Sequence, residues 1–238
     1  MFIKKIKQIK KDTQLIVLHH LGLGDSIICN GMVNYLSKKL EKVFLVVNER
    51  YFDQINYLYL NNSKIELLPV KDHLDKKILD FSKQKNLKIL KVGFENRKKG
   101  PFNLQLYKQL GLNYKISFQN FQFPLDDHKS NELKKHLFKY YKIQDDFILV
   151  HSETDHYNFD LEIKSQHGAI HVEKNSDLFN NIFLYSHLIQ EAKEIHCVDS
   201  SFIHFVERVN TNSILYYHKN RKSNTYLTKD WQEVNYGN

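Results

Sequence analysis

Cysteine, proline and glycine are scarce in this sequence. The 238 residues include 2 Cys, 3 Pro and 8 Gly. Cys29 and Cys197 lie in separate apolar segments and no Cys-x-x-Cys pair occurs, which argues against a zinc site and against a disulfide framework. The low glycine and proline content also argues against a disordered or low-complexity chain. We therefore expect a folded protein of a reducing compartment, for which the cytoplasm is the natural choice.

Long hydrophobic runs are missing as well. No segment approaches the roughly 20 apolar residues that a membrane-spanning helix needs, and the basic start MFIKKIKQIKK lacks the apolar core of a secretory signal. Phe2, Ile3, Ile6 and Ile9 could share one face of a helix. Two interpretations remain open: this arm contacts the inner face of an anionic membrane peripherally, or it simply leads into the first strand.

The charge is unbalanced, with a formal net charge of +8 at pH 7. Such a surplus is typical of proteins with anionic partners such as nucleic acid, lipid or nucleotide. It also arises from the lysine bias of an AT-rich coding sequence, and the lysines are spread along the whole chain. An RNA-binding protein is not favoured, because no RNP, KH-type Gly-x-x-Gly or zinc-knuckle pattern is present.

The chain is organised around a stretch near its start. Residues 15–18 form an apolar run, and a glycine turn, Gly22-Leu23-Gly24-Asp25-Ser26, follows after two histidines. Apolar residues then recur at every fourth position from 28 to 40. The change of period predicts a buried strand, a tight turn and a helix. Asp25 or Ser26 is expected to cap the helix N-terminus.

Strand and helix patterns alternate along the rest of the chain. In the first half we expect strands at 43–47, 65–68 (closed by Pro69) and 87–92, with helices at 52–60, 74–81 and 102–110 (capped by Gly111). In the second half we expect strands at 147–150, 169–172, 195–198 and 213–217, helices at 132–141, 182–192 and 203–209, and a closing element at 231–234. This order predicts an α/β protein with two Rossmann-like domains, 1–125 and 126–238, whose parallel sheets face each other across a cleft. An aromatic stretch at 113–127 would connect them.

The first turn is not a good dinucleotide site. The Gly22-x-Gly24 pattern would need a third glycine at position 27, where the sequence has Ile27. Asp25 at the helix N-terminus would also repel a pyrophosphate. A carboxylate on a glycine turn can instead take a proton from a substrate hydroxyl, and the glycines would let the substrate approach the backbone. The alternative is that Asp25 is only a helix cap.

A second strand-turn-helix unit occurs at Asp199-Ser200-Ser201. No carboxylate follows in the first helical turn until Glu207, so free amides and two hydroxyls are available to a phosphate or diphosphate. His204, one turn into the helix, could reach the same anion. The alternative is an ordinary helix cap with a half-buried histidine.

Together these two patterns resemble sugar transferases of the GT-B fold, and among them the heptosyltransferase-like family. The first is Leu21-Gly22-Leu23-Gly24-Asp25-Ser26, and the second is Val198-Asp199-Ser200-Ser201-Phe202-Ile203-His204, which is similar to the family's Asp-Ser/Thr-x-x-x-His stretch. The resemblance implies inverting transfer of a sugar from a nucleotide-activated donor to a hydroxyl of a glycan or glycolipid, as in polysaccharide biosynthesis, without an obligatory metal. It also implies that the first domain binds the acceptor and the second the donor.

The resemblance assigns roles to individual residues. It makes Asp25 the catalytic base, with Gly22, Gly24 and Ser26 around the substrate. The donor's phosphates and ribose would be held by Asp199, Ser200, Ser201 and His204. We add three weaker donor-side candidates at the end of a strand, namely His151, Ser152 and Glu153.

The chain departs from the family in several respects. Family members are usually longer, and the second domain is small here. The family's cationic phosphate partner has only loose candidates in Lys219, Arg221 and Lys222, which could equally be a solvated charge run. No Asp-x-Asp motif occurs, so we expect neither a metal nor another cofactor beyond the nucleotide sugar as co-substrate. A non-catalytic α/β protein that binds nucleotides or polyanions, a degenerate transferase, remains the alternative.

Overall fold

The computed structural model describes residues 2–9, 13–94, 100–155, 157–219 and 225–236. These residues form two compact units, the first running to Pro124 and the second beginning at Leu125, beside the predicted boundary after residue 125. A short segment that ends at Tyr226 also belongs to the first unit, and the second unit resumes at Leu227. Each unit is built on its own five-stranded parallel sheet, which confirms the predicted α/β class with two Rossmann-like sheets.

The first unit is a doubly wound sheet. Its strands are β1 (Phe2–Ile3), β2 (Gln14–Leu18), β3 (Lys42–Asn48), β4 (Ile65–Val70) and β5 (Lys88–Lys91). Its helices are α1 (Leu23–Ser37), α2 (Phe52–Tyr59), α3 (Lys76–Gln84), α4 (Phe102–Leu110) and α5 (Ile116–Gln119), with 3-10 turns at Ile6–Gln8 and Glu49–Tyr51. The sheet order is β1-β5-β2-β3-β4. The chain therefore winds outward from β2 to β4 and then returns to β5 on the other side of β2, so the order reverses between β2 and β5.

Burial explains why the strands could be recognised from short apolar runs. Ile16 and Val17 of β2 are 0% exposed, as are Val46 and Val47 of β3. Strands of a parallel sheet are covered by helices on both faces, so they read as continuous apolar runs. The predicted helix at 102–110 matches α4, and Gly111 closes it in the left-handed conformation at φ 73°.

Helix α1 lies deep in the first unit and is packed against α5. A β-carbon built on Gly31 would lie 2.4 Å from the carbonyl oxygen of Ser117, so only glycine allows the two backbones to approach this closely. The Ser117 hydroxyl donates to the Ile28 carbonyl of α1 at 3.2 Å. The segment expected to connect two domains therefore belongs largely to the first unit, up to Pro124.

One local expectation for the first unit is wrong, and one of the two open interpretations of the N-terminal arm loses its basis. Strand β4 is not closed by Pro69 but continues to Val70, with Pro69 in register with Val47. Proline is tolerated there because β4 is an edge strand with a neighbour on one side only. At the N-terminus, Phe2 and Ile3 pair with β5 as an edge strand, so the four apolar residues of the arm do not share a helix face. No helix in the described ranges combines the length and the apolar character of a membrane span.

The second unit has the same winding pattern. Its strands are β6 (Phe147–His151), β7 (Gly168–His171), β8 (Glu194–Cys197), β9 (Ile214–Lys219) and β10 (Trp231–Asn235). Its helices are α6 (Asp127–Tyr140), α7 (Ser186–Glu191) and α8 (Ser201–Val206), with a 3-10 turn at Ile182–Tyr185. The order β10-β9-β8-β6-β7 reverses between β6 and β8.

The buried carboxylate of Glu207, at the end of α8, binds residues just before and at the start of β10. Glu207 is 5% exposed and accepts hydrogen bonds from the backbone amide and hydroxyl of Thr228, both at 2.7 Å. It also accepts from the Lys229 amide at 3.1 Å and from Trp231 Nε1 at 2.7 Å. Four donors thus satisfy one carboxylate, which is the condition for keeping it inside the protein at modest cost.

Candidate functional site

The first candidate turn follows β2, at the point where the strand order of the first sheet reverses. The carboxyl ends of β2 and β5 meet there, with the Val92 amide donating to the Leu18 carbonyl at 2.9 Å. In open α/β sheets this is the position at which ligands bind. The predicted strand-turn-helix unit is therefore located where a ligand site of this type of sheet would lie.

Asp25 lies in the first turn of α1, but not as its cap. The helix begins at Leu23, and its N-cap is Gly22, so the predicted capping by Asp25 or Ser26 is wrong. Asp25 is partly exposed. The free amides of the first turn favour a negative charge at this position. Asp25 thus presents an ionisable carboxylate on the partly exposed end of a well-buried helix.

The other predicted residues of this turn are arranged differently. Ser26 is 0% exposed, and its hydroxyl donates to the Gly22 carbonyl at 3.1 Å. It therefore stabilises the turn from inside, which does not favour a direct contact with substrate. Gly22 and Gly24 are partly exposed, so the backbone of the turn remains accessible.

Two histidines beside this turn were not among the predicted site residues. His20 Nε2 lies 2.7 Å from the Gly93 carbonyl, and because a carbonyl only accepts, Nε2 must carry the proton. The His20 ring stacks on Phe94 with centroids 4.6 Å apart. His19 is 0% exposed, its burial lowers its pKa to about 4, and its Nε2 has no hydrogen-bond partner among the described residues. The arrangement of His20 could not be predicted, since its partner Gly93 lies 73 residues further along the chain.

The second candidate turn follows β8, where the order of the second sheet reverses. The structure brings two predicted groups together here, because the Val198 amide donates to the His151 carbonyl at 3.1 Å. His151, at the end of β6, is partly buried, and its ring meets Phe202 edge-on at 5.2 Å. Burial lowers the pKa of His151 to about 4. It is therefore neutral at pH 7.

The Asp199-Ser200-Ser201 turn leads directly into α8. Ser200 is the N-cap residue, with extended backbone at φ −145° and ψ −177°, but its side chain caps no amide. Its buried hydroxyl oxygen has no hydrogen-bond partner within the described residues. The first turn of α8 contains no acidic residue. The Ser200 hydroxyl is therefore left for a ligand or for water at the start of α8.

His204 and the basic candidates contribute less charge to this turn than expected. His204 is 7% exposed, and burial lowers its pKa to about 4, against the opposing effect of Asp199. At pH 7 it can act on an anion only through a neutral hydrogen bond. Lys219 forms an ion pair with Glu233 at 2.8 Å. Arg221 and Lys222 lie outside the described residues.

The remaining donor-side candidates belong to the loop after β6. The Ser152 hydroxyl donates to Asn158 Oδ1 at 3.3 Å, and Glu153 pairs with Asn158 in an isolated antiparallel bridge. Both residues therefore make their contacts within their own loop. The part of the chain that the structure describes holds no group of three or more His, Cys, Asp or Glu side chains placed to bind a metal ion.

A polar chain of side chains, without a predicted role, crosses the second sheet. His196 Nε2 lies 3.0 Å from Glu194 Oε2, His196 Nδ1 lies 3.0 Å from His218 Nε2, and His218 Nδ1 lies 2.6 Å from the Tyr236 hydroxyl. Because the carboxylate can only accept, one direction satisfies all members: Tyr236 donates to His218, His218 to His196, and His196 to Glu194. Both imidazoles are neutral in this arrangement.

Comparison with known proteins gives a likeness in structure alone. No protein-family profile and no curated protein matches the sequence. The structure resembles that of a glycosyl transferase family 9 protein from Veillonella parvula DSM 2008, with a TM-score of 0.57, 9% identity, and coverage of 96% of this chain and 88% of the other. It also resembles ADP-heptose lps heptosyltransferase II of E. coli, with a TM-score of 0.56, 8% identity, and coverage of 93% and 90%. The fold that the two sequence patterns suggested is thereby confirmed, and the chain shares the GT-B fold of these two structures.

Proposed function

We propose that this protein is a glycosyltransferase that moves a sugar from a nucleotide-activated donor to a hydroxyl of a glycan or glycolipid acceptor. The observation that carries the proposal is the position of the two turns. Each lies where the strand order of its sheet reverses, and each carries polar groups suited to one half of the reaction. The fold likeness to two glycosyltransferase structures supports the same reaction class.

In the first unit, Asp25 would act as the general base. The acceptor hydroxyl attacks the anomeric carbon of the donor sugar, and its proton passes to the Asp25 carboxylate. The new glycosidic bond forms as the bond from the anomeric carbon to the phosphate oxygen breaks. Because attack comes from the face opposite the leaving group, the configuration inverts. A positioned base of this kind typically contributes about 10²–10⁴-fold in rate.

In the second unit, the leaving nucleoside diphosphate would be held at the start of α8. The amides of that helix and the hydroxyls of Ser200 and Ser201 would stabilise the negative charge that develops on the phosphate oxygen. His204 and Asp199 would complete the donor side. We further propose that no metal cofactor is required, in which case turnover persists when EDTA is present. Loss of activity with EDTA and its recovery with Mg²⁺ or Mn²⁺ would refute this part of the proposal.

A glycolipid acceptor would bring the protein to a membrane surface. The N-terminal arm offers exposed cations for such a contact at Lys4, Lys5 and Lys7, next to Phe2, whose exposed fraction is 47%. Basic side chains with an exposed aromatic residue favour anionic headgroups. We include this peripheral contact in the proposal, to be tested by co-sedimentation with vesicles containing anionic lipid.

The second candidate function is nucleotide or polyanion binding without catalysis. It is favoured by the fact that the donor-side groups do not depend on Asp25 or on the first turn. The two functions are separated by two measurements on the same protein. A thermal-shift screen of nucleotide sugars identifies a ligand, since selective binding stabilises the native state, and release of nucleoside diphosphate with glycan acceptors then measures turnover. Binding with turnover supports the transferase, and binding alone supports the second function. Binding of no nucleotide sugar contradicts the transferase and leaves only polyanion binding for the second function.

A further inference from the structure

His151 is held in one tautomer by its surroundings. Its Nδ1 lies 2.8 Å from the backbone carbonyl of Val172, just after β7. Because that carbonyl can only accept, Nδ1 carries the proton and Nε2 carries a lone pair. The bond from Nδ1 is the one side-chain hydrogen bond of His151 found among the described residues. The ring therefore offers a fixed hydrogen-bond acceptor at the carboxyl end of β6.

The surroundings also keep this ring uncharged. Burial lowers the pKa of His151 to about 4, and only the Val172 hydrogen bond opposes this effect. Phe202, which is 0% exposed, packs against the ring and provides an apolar wall. A neutral acceptor of this kind cannot attract a phosphate, because a phosphate oxygen near pH 7 also presents lone pairs.

A second polar group, the Ser200 hydroxyl, lies in the turn after β8, the strand beside β6. The Val198 amide binds the His151 carbonyl, and Ser200, two residues later, has a buried hydroxyl oxygen without a partner in the described ranges. An acceptor nitrogen at the end of β6 and an unpaired hydroxyl in the turn after the neighbouring strand β8 complement a ligand that both donates and accepts. Hydroxyl groups do both, whereas phosphate oxygens only accept.

We propose that Nε2 of His151 accepts a hydrogen bond from a hydroxyl group of the nucleotide sugar, so that His151 selects its ligand by a hydroxyl and does not hold the diphosphate. This inference rests on the proposed function and adds a specificity-determining residue to it. The hydroxyl belongs either to the ribose or to the transferred sugar, which share this chemistry. The diphosphate is then left to the start of α8.

Two conservative variants separate this role from a structural one. In His151→Asn, the amide nitrogen can replace Nδ1 and keep the bond to Val172, but no atom remains at the place of Nε2. In His151→Gln, the amide oxygen can reach the place of Nε2, while the contact with Val172 is lost. His171→Asn is a matched control, because His171 is an exposed histidine at the same end of the neighbouring strand β7.

The measurement is the loss of affinity when one hydroxyl is removed from the ligand. The probes are ADP, GDP, CDP and UDP with their 2′-deoxy and 3′-deoxy forms for the ribose, and nucleotide sugars with their sugar-deoxy forms for the transferred sugar. One neutral hydrogen bond corresponds to a loss of roughly five- to tenfold. We expect this loss for one hydroxyl in the wild type, His151→Gln and His171→Asn, and its disappearance in His151→Asn.

Each other outcome has a distinct meaning. If His151→Asn still discriminates the hydroxyl, or if the wild type discriminates none, the inference fails while the proposed function stands. If His151→Gln loses discrimination and His151→Asn keeps it, the Val172 contact matters and the histidine is structural. If the wild type binds no nucleotide or nucleotide sugar, the proposed donor site itself fails, and this inference with it.

Discussion

The carboxylate of Asp25 lies directly over Gly22, so that a β-carbon built on Gly22 would be 2.7 Å from Asp25 Oδ2. Gly22 has φ −70°, which any residue can adopt, so the glycine is required for space and not for conformation. The atom in the way belongs to a side chain that can rotate. Gly22→Ala should therefore keep the fold but displace the Asp25 carboxylate.

For Gly22→Ala we expect a melting temperature close to that of the wild type and turnover reduced by roughly 10²-fold, the usual effect of a displacement of about 1 Å in a catalytic group. Donor affinity should not change, because the proposed donor groups lie in the second unit. The check is turnover beside thermal melting. Normal turnover in this variant would show that the carboxylate position does not matter.

Asp25→Asn tests the base itself. The change keeps the size of the side chain and removes its basicity. We expect a decrease in turnover of roughly 10²–10⁴-fold, with little change in melting temperature or in donor affinity measured by calorimetry. Asp53→Asn is a suitable control, because Asp53 is an exposed carboxylate in the first turn of α2. Near-normal turnover in Asp25→Asn would remove the main chemical argument for a transferase.

Because several histidines are buried, we expect the free energy of unfolding to decrease on mild acidification. The four side chains whose pKa is lowered to about 4, in each case mainly by burial, are His19, His151, His204 and His218. In the unfolded chain their pKa is near 6.5, so between pH 6.5 and about 4 the unfolded state binds more protons than the native state. Their contribution to stability is complete above pH 6.5 and is lost as the pH falls towards 4.

The measurement is the free energy of unfolding from denaturant titrations at pH 7.5, 6.0 and 5.0. We expect a decrease with falling pH, limited to about 1.4 kcal/mol per pH unit for each histidine. His218→Asn should reduce this slope and the exposed His171→Asn should not. A flat profile between pH 7.5 and 5.0 would mean that these rings are solvated in the native protein.

Glu207→Gln tests the buried carboxylate that fastens α8. The amide group offers one acceptor oxygen and places an NH₂ group against donors from Thr228, Lys229 or Trp231. A buried donor left without a partner costs about 1–3 kcal/mol, and more where a charge was involved. We expect a loss of stability of at least this size in denaturant titration, whereas Glu233→Gln, at an exposed position of β10, should change little. Equal effects of the two changes would contradict the assignment.

The fold could be predicted because its signals are local. Strands such as β2 are buried on both faces and therefore appear as apolar runs, and helix α4 carries its own stop signal in Gly111. Helix α5 was missed for the opposite reason. It is 4 residues long, and its position depends on the absence of a side chain at Gly31, a contact between segments about 85 residues apart.

The two strand-turn-helix units were recognised from the sequence, but the arrangement of their side chains was not. The sequence identified both turns, because a change of period around small polar residues is visible locally. It placed the start of α1 too late, since Gly22 caps the helix without any side-chain signal. Neither the neutrality of His151 nor its orientation could be foreseen, because both depend on Val172 and Phe202, which are brought beside it by the folding of the sheet.

The hydrogen bonds of Glu207 also affect when the second unit can fold during synthesis. During synthesis, residue 207 leaves the ribosome before its partners at 228–231, so its carboxylate must stay in water until those residues follow. Helix α8 can then reach its final position only when nearly all of the second unit has been synthesised. The turn that precedes α8 would then be among the last parts of the second unit to become rigid.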